Sequence, residues 1–245
     1  MTLPKAILFD LDDTIISAYS QPGLAWLSVA EEFAHEIDPL SPDEFAAAVV
    51  MSADAYWGDV ALHKARRLDM TGSRRLIVTG ALGTLREAGR PVPDEGLAMR
   101  IADRFTVFRE EKMHLFDGAV DTLIALRAAG VRLALVTNGA ADFQRAKIER
   151  FGLAPYFDHI QIEGEHGFGK PEEAAYRHAL ASLEVEPFEA WMVGDNLEWE
   201  VAAPQRLGIY AIWHDHLGEG LPKDAQVTPD RIIQRLAELL EPAPA

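Results

Sequence analysis

The stretch that decides the fold is an apolar run that ends in an acidic cluster: Ala6-Ile7-Leu8-Phe9-Asp10-Leu11-Asp12-Asp13-Thr14. The apolar residues are typical of a buried strand in a parallel sheet, and the polar residues after them predict an abrupt turn. Ligands of open α/β sheets bind beyond the carboxyl ends of the strands, so we expect this cluster at a functional site. Asp10 and Asp12 are two residues apart and line the same side if the backbone stays extended.

Three carboxylates held this close together repel one another. A divalent cation with oxygen ligands relieves that repulsion, and Mg²⁺ is the ion most often used. The alternative interpretation is an Asp-rich turn that caps a helix, because Asp is common at turns and helix N-termini.

Composition and charge narrow the class of protein. The chain has 245 residues, of which 49% are hydrophobic and 25% charged, and this is ordinary for a globular protein. Its net charge of -16 argues against nucleic-acid or anionic-membrane partners, which bind basic patches. The absence of cysteine excludes disulfides, thiolate catalysis and cysteine metal sites. We see no signal peptide and no apolar run of membrane-spanning length, and we expect a cytoplasmic protein.

The order of predicted elements indicates an α/β fold. Residues from about Pro22 to about Lys112 show helical periodicity with almost no strand signal, and Ser41-Pro42-Asp43-Glu44 is a strong helix start. Strands and helices alternate from residue 115, and a final amphipathic helix is predicted over 228–240. We therefore predict a doubly wound, Rossmann-like parallel sheet formed by residues 1–16 and 115–245, with an all-helical cap of residues 17–114 inserted after the first strand.

Polar groups follow three further strands or loops of the predicted core. Thr137-Asn138-Gly139 combines a hydroxyl, backbone N–H groups and a helix start, which together suit an anion, although a plain helix cap is the alternative. Lys170 follows a glycine-containing loop and would balance negative charge, or lie on the surface as most lysines do. Asp195 could complete a metal site with the first cluster, and Glu200 could support it or be an ordinary surface acid.

These motifs, taken in order, resemble those of the haloacid dehalogenase (HAD) superfamily of hydrolases, phosphatase type with a helical cap. The family pattern is Asp-x-Asp-x-Thr, a Ser or Thr, a Lys, and an acidic motif. It is matched here by Asp10-Leu11-Asp12-Asp13-Thr14, Thr137, Lys170, and Gly194-Asp195 with Glu200. Many members carry Asp where this chain has Glu200, which leaves open whether Glu200 touches a metal.

The resemblance implies a Mg²⁺-dependent phosphatase that acts on a small phosphorylated metabolite, namely a sugar phosphate, phosphoglycolate or a nucleotide monophosphate. By the family pattern Asp10 is the nucleophile and forms an aspartyl-phosphate, and Asp12 is the general acid and base. The same pattern implies that Asp10, the Asp12 carbonyl and Asp195 hold Mg²⁺. Thr137 and the Asn138 N–H bind the phosphoryl oxygens, and Lys170 offsets their charge. The chain is expected to be a monomer or a homodimer.

Other members of the superfamily remain alternatives. Haloacid dehalogenases resemble Asp-x-Tyr at the first motif and need no acid there, so Asp12 favours phosphate-ester hydrolysis. Phosphonate hydrolases use a cap lysine, and neither Lys64 nor Lys112 has the apolar setting that such a lysine needs. A phosphomutase shares the motif and stays open, as does a non-catalytic binding protein on the same fold.

Selection of the substrate is expected from the cap. Its candidates are the aromatic and basic residues Tyr19, Trp57, His63, Arg66 and Arg67. The aromatic side chains could equally pack the interior of the cap, and the arginines could lie on a solvated helix face.

Overall fold

The computed structural model describes residues 2–18 and 21–242. The chain divides into two compact units, one made of the residues up to Ser17 with those from His114 onward, and the other of Ala18–Met113. None of the described helices combines the length and the apolar character needed to cross a membrane.

The first unit contains, in its described residues, a sheet of six parallel strands in the order β5-β4-β1-β6-β7-β8. The strands of this sheet are β1 (Ala6–Phe9), β4 (Arg132–Thr137), β5 (His159–Ile162), β6 (Ala190–Gly194), β7 (Tyr210–His214) and β8 (Arg231–Ile233). The helices are α6 (Ala119–Ala128), α7 (Ala141–Arg150), α8 (Glu163–His166), α9 (Glu173–Ser182) and α10 (Ala203–Gln205). The predicted fold class, a doubly wound parallel sheet, is confirmed.

β1 lies between β4 and β6 in the middle of the sheet, and all four of its residues are fully buried. In register it pairs Phe9 with Leu135 of β4 on one side and with Val193 of β6 on the other. The carboxyl ends of these three strands therefore come together, and Asp10, Thr137 and Gly194 lie at the same edge of the sheet. This alignment follows from parallel pairing and positions the site.

Two short strands lie outside the main sheet. β2 (Ile16–Ser17) pairs antiparallel with β3 (His114–Leu115), with Ile16 opposite Leu115 and Ser17 opposite His114. The chain thus leaves the first unit and returns to it through two neighbouring strands.

The prediction of a final helix over 228–240 is wrong. Arg231–Ile233 is the edge strand β8, and Leu236–Leu240 is a short 3₁₀ turn. In β8 the exposed Ile232 alternates with the buried Arg231 and Ile233, which is the period of a strand. As a strand this segment pairs with β7 and covers its open edge, which a helix could not do.

The second unit is helical. Its helices are α1 (Pro22–Glu32), α2 (Pro42–Trp57), α3 (His63–Leu68), α4 (Met70–Glu87) and α5 (Glu95–Lys112). α1 and α4 each pack on both α2 and α5. The rings of Trp26 and Phe105 are stacked at the centre with centroids 3.5 Å apart. Ser41 forms a capping box with Glu44 at the start of α2, as its sequence predicts.

Candidate active site

The acidic cluster forms a tight turn directly after β1. The Asp10 N–H donates to the Val193 carbonyl at 2.9 Å, which extends the pairing with β6 by one residue. Thr14 Oγ1 donates to Asp10 Oδ2 at 3.3 Å. Asp13 has a positive φ of 55°, a conformation that Asp tolerates better than most residues, and its N–H donates to the Ile16 carbonyl. Asp13 therefore shapes the turn through its backbone.

Lys170 reaches Asp10 from the loop between α8 and α9. Its Nζ lies 2.5 Å from Asp10 Oδ1 and 2.7 Å from Glu200 Oε1, and the lysine is completely buried. Burial alone would lower the pKa of Lys170, but the two carboxylates outweigh that effect and raise its pKa above the ordinary value. Lys170 is thus a fixed buried cation beside Asp10.

Glu200 belongs to a π-helical turn, Leu197–Ala202, that follows β6. Its Oε2 accepts a hydrogen bond from the Asn196 N–H at 2.8 Å, while Oε1 contacts Lys170. The Tyr176 hydroxyl of α9 donates to the Trp199 carbonyl at 2.5 Å and anchors the turn. Both Glu200 oxygens are therefore engaged by protein groups, and Glu200 supports the site by holding Lys170.

Asp195 follows the last residue of β6 and is partly buried. The indole N–H of Trp213 on β7 donates to the Asp195 carbonyl at 2.6 Å, which fixes the backbone at this position. Burial, together with the charges of Glu200 and Asp10, raises the pKa of Asp195 well above its ordinary value. Asp195 and Asp10 thus lie near enough to influence each other's ionisation.

The carboxylates of the site outnumber its buried cation. Burial raises the pKa of Asp10, with Asp12 adding to the rise and Lys170 opposing it, and burial raises the pKa of Glu200 to about 7 despite Lys170. This shortage of positive charge, in a set of hard oxygen donors, fits a divalent cation of the Mg²⁺ type. Asp10, Asp195 and the Asp12 carbonyl are the groups suited to hold it.

Asp12 binds two residues of α7 that the motifs did not identify. Lys147 Nζ lies 2.7 Å from both carboxylate oxygens of Asp12. Gln144 Nε2 lies 3.0 Å from Asp12 Oδ2 and 2.6 Å from Thr137 Oγ1. Gln144 and Lys147 are three residues apart and so share one face of the helix. That spacing, just after Thr137-Asn138-Gly139, was the signal available in the sequence.

Thr137 and Asn138 lie at the end of β4, as predicted, but the Asn138 side chain has a different use. Its Nδ2 donates to the Lys170 carbonyl at 2.7 Å, and its Oδ1 accepts from the Lys170 N–H at 2.8 Å. This two-way bond fastens the backbone of Lys170 to the end of β4. The buried Glu163, also absent from the predicted site, accepts from the Gly139 N–H at 3.0 Å.

Comparison with known proteins places this chain in a family. A family model described as a haloacid dehalogenase-like hydrolase matches residues 4–208. The chain belongs to the haloacid dehalogenase-like hydrolases. The predicted membership is therefore confirmed.

Two curated relatives of this HAD-type hydrolase are phosphatases. A phosphoserine phosphatase of Thermus thermophilus is 40% identical over 144 residues, which are 58% of this chain and 56% of that protein. A ribulose-1,5-bisphosphate 5-phosphatase of Halopiger xanaduensis is 32% identical over 232 residues, covering 94% of this chain and 91% of the relative. These relatives confirm the prediction of a phosphoric monoester hydrolase.

A solved structure with the same fold is the HAD-hydrolase YfnB of Bacillus subtilis, which is described as bound to magnesium. It superposes with a TM-score of 0.68 over 97% of both chains, at 24% sequence identity. At this identity the likeness supports the fold of the present HAD-type hydrolase.

The candidate specificity residues that the structure describes lie in the helical unit. The Trp57 ring contacts Tyr56 and His63 edge-on, with centroids 5.4 and 6.0 Å away. The Arg66 guanidinium lies over the Tyr56 ring, 4.1 Å from its centroid, and donates to the Tyr56 carbonyl. Arg67 is on α3 beside Arg66, and Tyr19 lies outside the described residues. Trp57 and Arg66 thus have packing partners within their own unit.

Proposed function

We propose that this protein is a Mg²⁺-dependent phosphatase that hydrolyses a small phosphorylated metabolite through an aspartyl-phosphate at Asp10. The observation that carries the proposal is the buried contact of Asp10 with Lys170, beside an acid two residues further along the chain. Thr14 and Lys170 orient one Asp10 oxygen each, so the carboxylate is held ready to attack.

The first chemical step joins an Asp10 carboxylate oxygen to phosphorus while the bond from phosphorus to the ester oxygen breaks. Protonated Asp12 gives its proton to the departing alkoxide. In the second step the Asp12 carboxylate takes a proton from water as the water oxygen attacks phosphorus. Inorganic phosphate leaves, and both Asp10 and the protonated form of Asp12 are restored.

Charge on the phosphoryl group is the second requirement. The Thr137 hydroxyl and the Asn138 N–H are proposed to bind the phosphoryl oxygens at the end of β4. Lys170 offsets the combined negative charge of Asp10 and the phosphoryl group. Asp10, Asp195 and the Asp12 carbonyl would hold Mg²⁺, which when bound supplies the remaining positive charge.

The substrate is proposed to be a small phosphate monoester: a sugar phosphate, phosphoglycolate or a nucleotide monophosphate. The two relatives are named for phosphoserine and ribulose-1,5-bisphosphate, which are small esters with a second anionic group. Asp12 distinguishes this proposal from a haloacid dehalogenase, which has no leaving alkoxide to protonate.

A panel of such phosphate esters, with p-nitrophenyl phosphate, tests the proposal by release of inorganic phosphate. We expect release with Mg²⁺, none with a chelator, and none from Asp10→Asn. Asp142→Asn, which removes an exposed acid from the start of α7, should match the wild type. Phosphate release by Asp10→Asn would refute the mechanism, and chloride release from a 2-haloacid without phosphate release would identify a dehalogenase.

A further inference from the structure

Three histidines cluster at the edge of the sheet, next to α8 and α9. His159 begins β5, His166 ends α8, and His178 lies in α9. One imidazole nitrogen from each lies within 4.8 Å of the other two. The ring centroids of His166 and His178 are 5.0 Å apart, and those of His159 and His178 are 5.2 Å apart. None of these histidines takes part in the proposed phosphatase chemistry.

Hydrogen bonds fix the tautomers of two of the rings. His166 Nδ1 lies 3.1 Å from the Ile162 carbonyl, which can only accept, so Nδ1 carries the proton. Gln161 donates through Nε2 to the Ala175 carbonyl and therefore turns its Oε1 toward His178 Nδ1, 2.8 Å away. His178 Nδ1 must donate there. In its neutral form each ring therefore keeps a free electron pair on Nε2.

The third ring has a buried nitrogen with unused bonding capacity. His159 Nε2 is buried and has no hydrogen-bond partner among the residues that the structure describes. A buried polar atom in this state is rare and calls for an explanation. Burial lowers the pKa of His159, and the neighbouring His178 lowers it further, while a hydrogen bond with Gln161 opposes the change.

We propose that His159, His166 and His178 form a binding site for a transition-metal dication of the Zn²⁺ type, with a fourth position left to solvent. Neutral imidazoles whose other nitrogen donates to a carbonyl or amide oxygen are the ligands that such ions bind. All three rings are partly exposed, so an ion has access from solvent. A tetrahedral ion with bonds of about 2.0–2.1 Å needs the nitrogens roughly 3.3 Å apart. The three nitrogens lie within 4.8 Å of one another, so the rings must move closer together when the ion binds.

The donor set separates this site from the carboxylate site at Asp10. Imidazole nitrogens suit Zn²⁺, whereas Mg²⁺ selects oxygen ligands. The Phe168 ring contacts both His166 and His178, with centroids 5.7 and 5.5 Å away, and Phe168 is two residues before Lys170. A bound ion would therefore tie β5, α8 and α9 together around the loop that carries Lys170.

The test is a Zn²⁺ titration against a competing chromophoric chelator, with excess Mg²⁺ present to occupy the carboxylate site. We expect one Zn²⁺ per chain, and loss of this binding in both His166→Gln and His178→Gln. Gln161→Ala, which removes the hydrogen bond to His178, should weaken binding by about 10–100-fold. His35→Asn, a change of an exposed histidine in the helical unit, should bind Zn²⁺ as the wild type does.

Nitrogen NMR of the wild-type imidazoles provides a readout that does not depend on the folding of any variant. Zn²⁺ should shift one nitrogen resonance in each of His159, His166 and His178 and leave His35 unchanged. Failure to retain Zn²⁺ in excess Mg²⁺ would overturn the proposal. So would retention of Zn²⁺ by both histidine variants, or loss of binding only in Asp195→Asn.

Discussion

The Asp12 carboxylate forms an ion pair with Lys147 of the neighbouring helix α7. Lys147 contacts both of its oxygens, and Gln144 binds one of them together with Thr137. An acid–base group acts only when its carboxylate is aimed at the ester oxygen and then at water. We therefore infer that Lys147 and Gln144 are positioning residues for Asp12.

Replacing Lys147 tests this role. In Lys147→Met we expect kcat to fall by about tenfold, a part of the roughly 10²–10⁴-fold that general acid–base catalysis provides, with a smaller change in KM. The measurement is steady-state hydrolysis of p-nitrophenyl phosphate. Arg150→Gln, an exposed change one helical turn further along α7, should leave kcat unchanged. An unaltered kcat in Lys147→Met would contradict the role.

The motif residues of the site could be predicted from the sequence, but the residues that contact Asp12 could not. Asp10, Asp12, Thr137, Lys170 and Asp195 each follow an apolar run or a glycine-containing loop, which marks them locally. Lys147 and Gln144 lie within a helix, where charged and amide residues are ordinary. Only the meeting of β1, β4 and α7 in space brings them to Asp12, and one sequence gives no direct measure of that.

The position of Glu200 depends on a glycine at the end of β6, where the strand passes into the π-helical turn. A Cβ atom on Gly194, the last residue of β6, would lie 2.0 Å from Glu200 Cγ. The π-helical turn can therefore hold Glu200 against Lys170 only while residue 194 is glycine.

Two glycine substitutions should have opposite effects on stability. Gly194→Ala should lower the free energy of unfolding by about 1–3 kcal/mol, because Glu200 is forced out of a packed position. Gly83→Ala, in the middle of α4 with no atom within 4 Å of the added Cβ, should raise it by about 0.5–1 kcal/mol. Urea unfolding measures both, and equal effects would contradict the packing argument.

His214, in β7, should make the stability of the fold depend on pH. It is the buried last residue of the strand, and its Nδ1 donates to the Asp13 carbonyl at 3.0 Å. Burial is the main cause that lowers its pKa to about 4, and His216 adds to the shift, although hydrogen bonds to Asp13 and Gln234 and the charge of Glu238 oppose it. Because the folded pKa is below the unfolded value, the associated stability is complete above about pH 6.5 and is lost as pH falls toward 4.

Because of His214, the free energy of unfolding of the wild type should be about 2 kcal/mol lower at pH 5 than at pH 7.5. His214→Gln should lose that much less stability between the two pH values, as measured by urea unfolding. His35→Gln should keep the wild-type pH dependence, because His35 is exposed. Parallel pH curves for the wild type and His214→Gln would show that His214 titrates normally.

Strands within the α/β pattern were predictable because their apolar runs are bounded by turns. The edge strand β8 was not, since Arg-Ile-Ile followed by a leucine-rich stretch has an amphipathic helical period as well. Tertiary pairing with β7 decided between the two. β2 and β3 are two residues each and carry no periodicity, so only their pairing with one another defines them.

The whole molecule carries 39 acidic and 23 basic side chains, counting Asp and Glu against Lys and Arg. Such a surface repels an anionic phosphate ester, so its capture requires positive charge concentrated at the site. Lys170 and Lys147 are two sources, and a bound dication would be a third.

Mg²⁺ should consequently stabilise the fold. At a free concentration of 100 times Kd we expect the free energy of unfolding to rise by about 2.7 kcal/mol, because the ion binds the folded chain alone. Urea unfolding with Mg²⁺ and with a chelator measures the difference. Asp195→Asn should abolish it and Asp142→Asn should retain it. A difference that persists in Asp195→Asn would place the ion elsewhere.

The antiparallel pairing of β2 with β3 also bears on how freely the insert can vary. Ser17 and His114 lie opposite each other in this pair of strands, so the 96 residues between them, Ala18–Met113, begin and end at neighbouring positions of the sheet unit. While the insert is still unfolded, the entropy of closing such a loop grows only with the logarithm of its length, so doubling the number of residues costs about 0.6 kcal/mol. Evolution and laboratory recombination can therefore lengthen, shorten or exchange the insert at this junction with little thermodynamic penalty for the sheet.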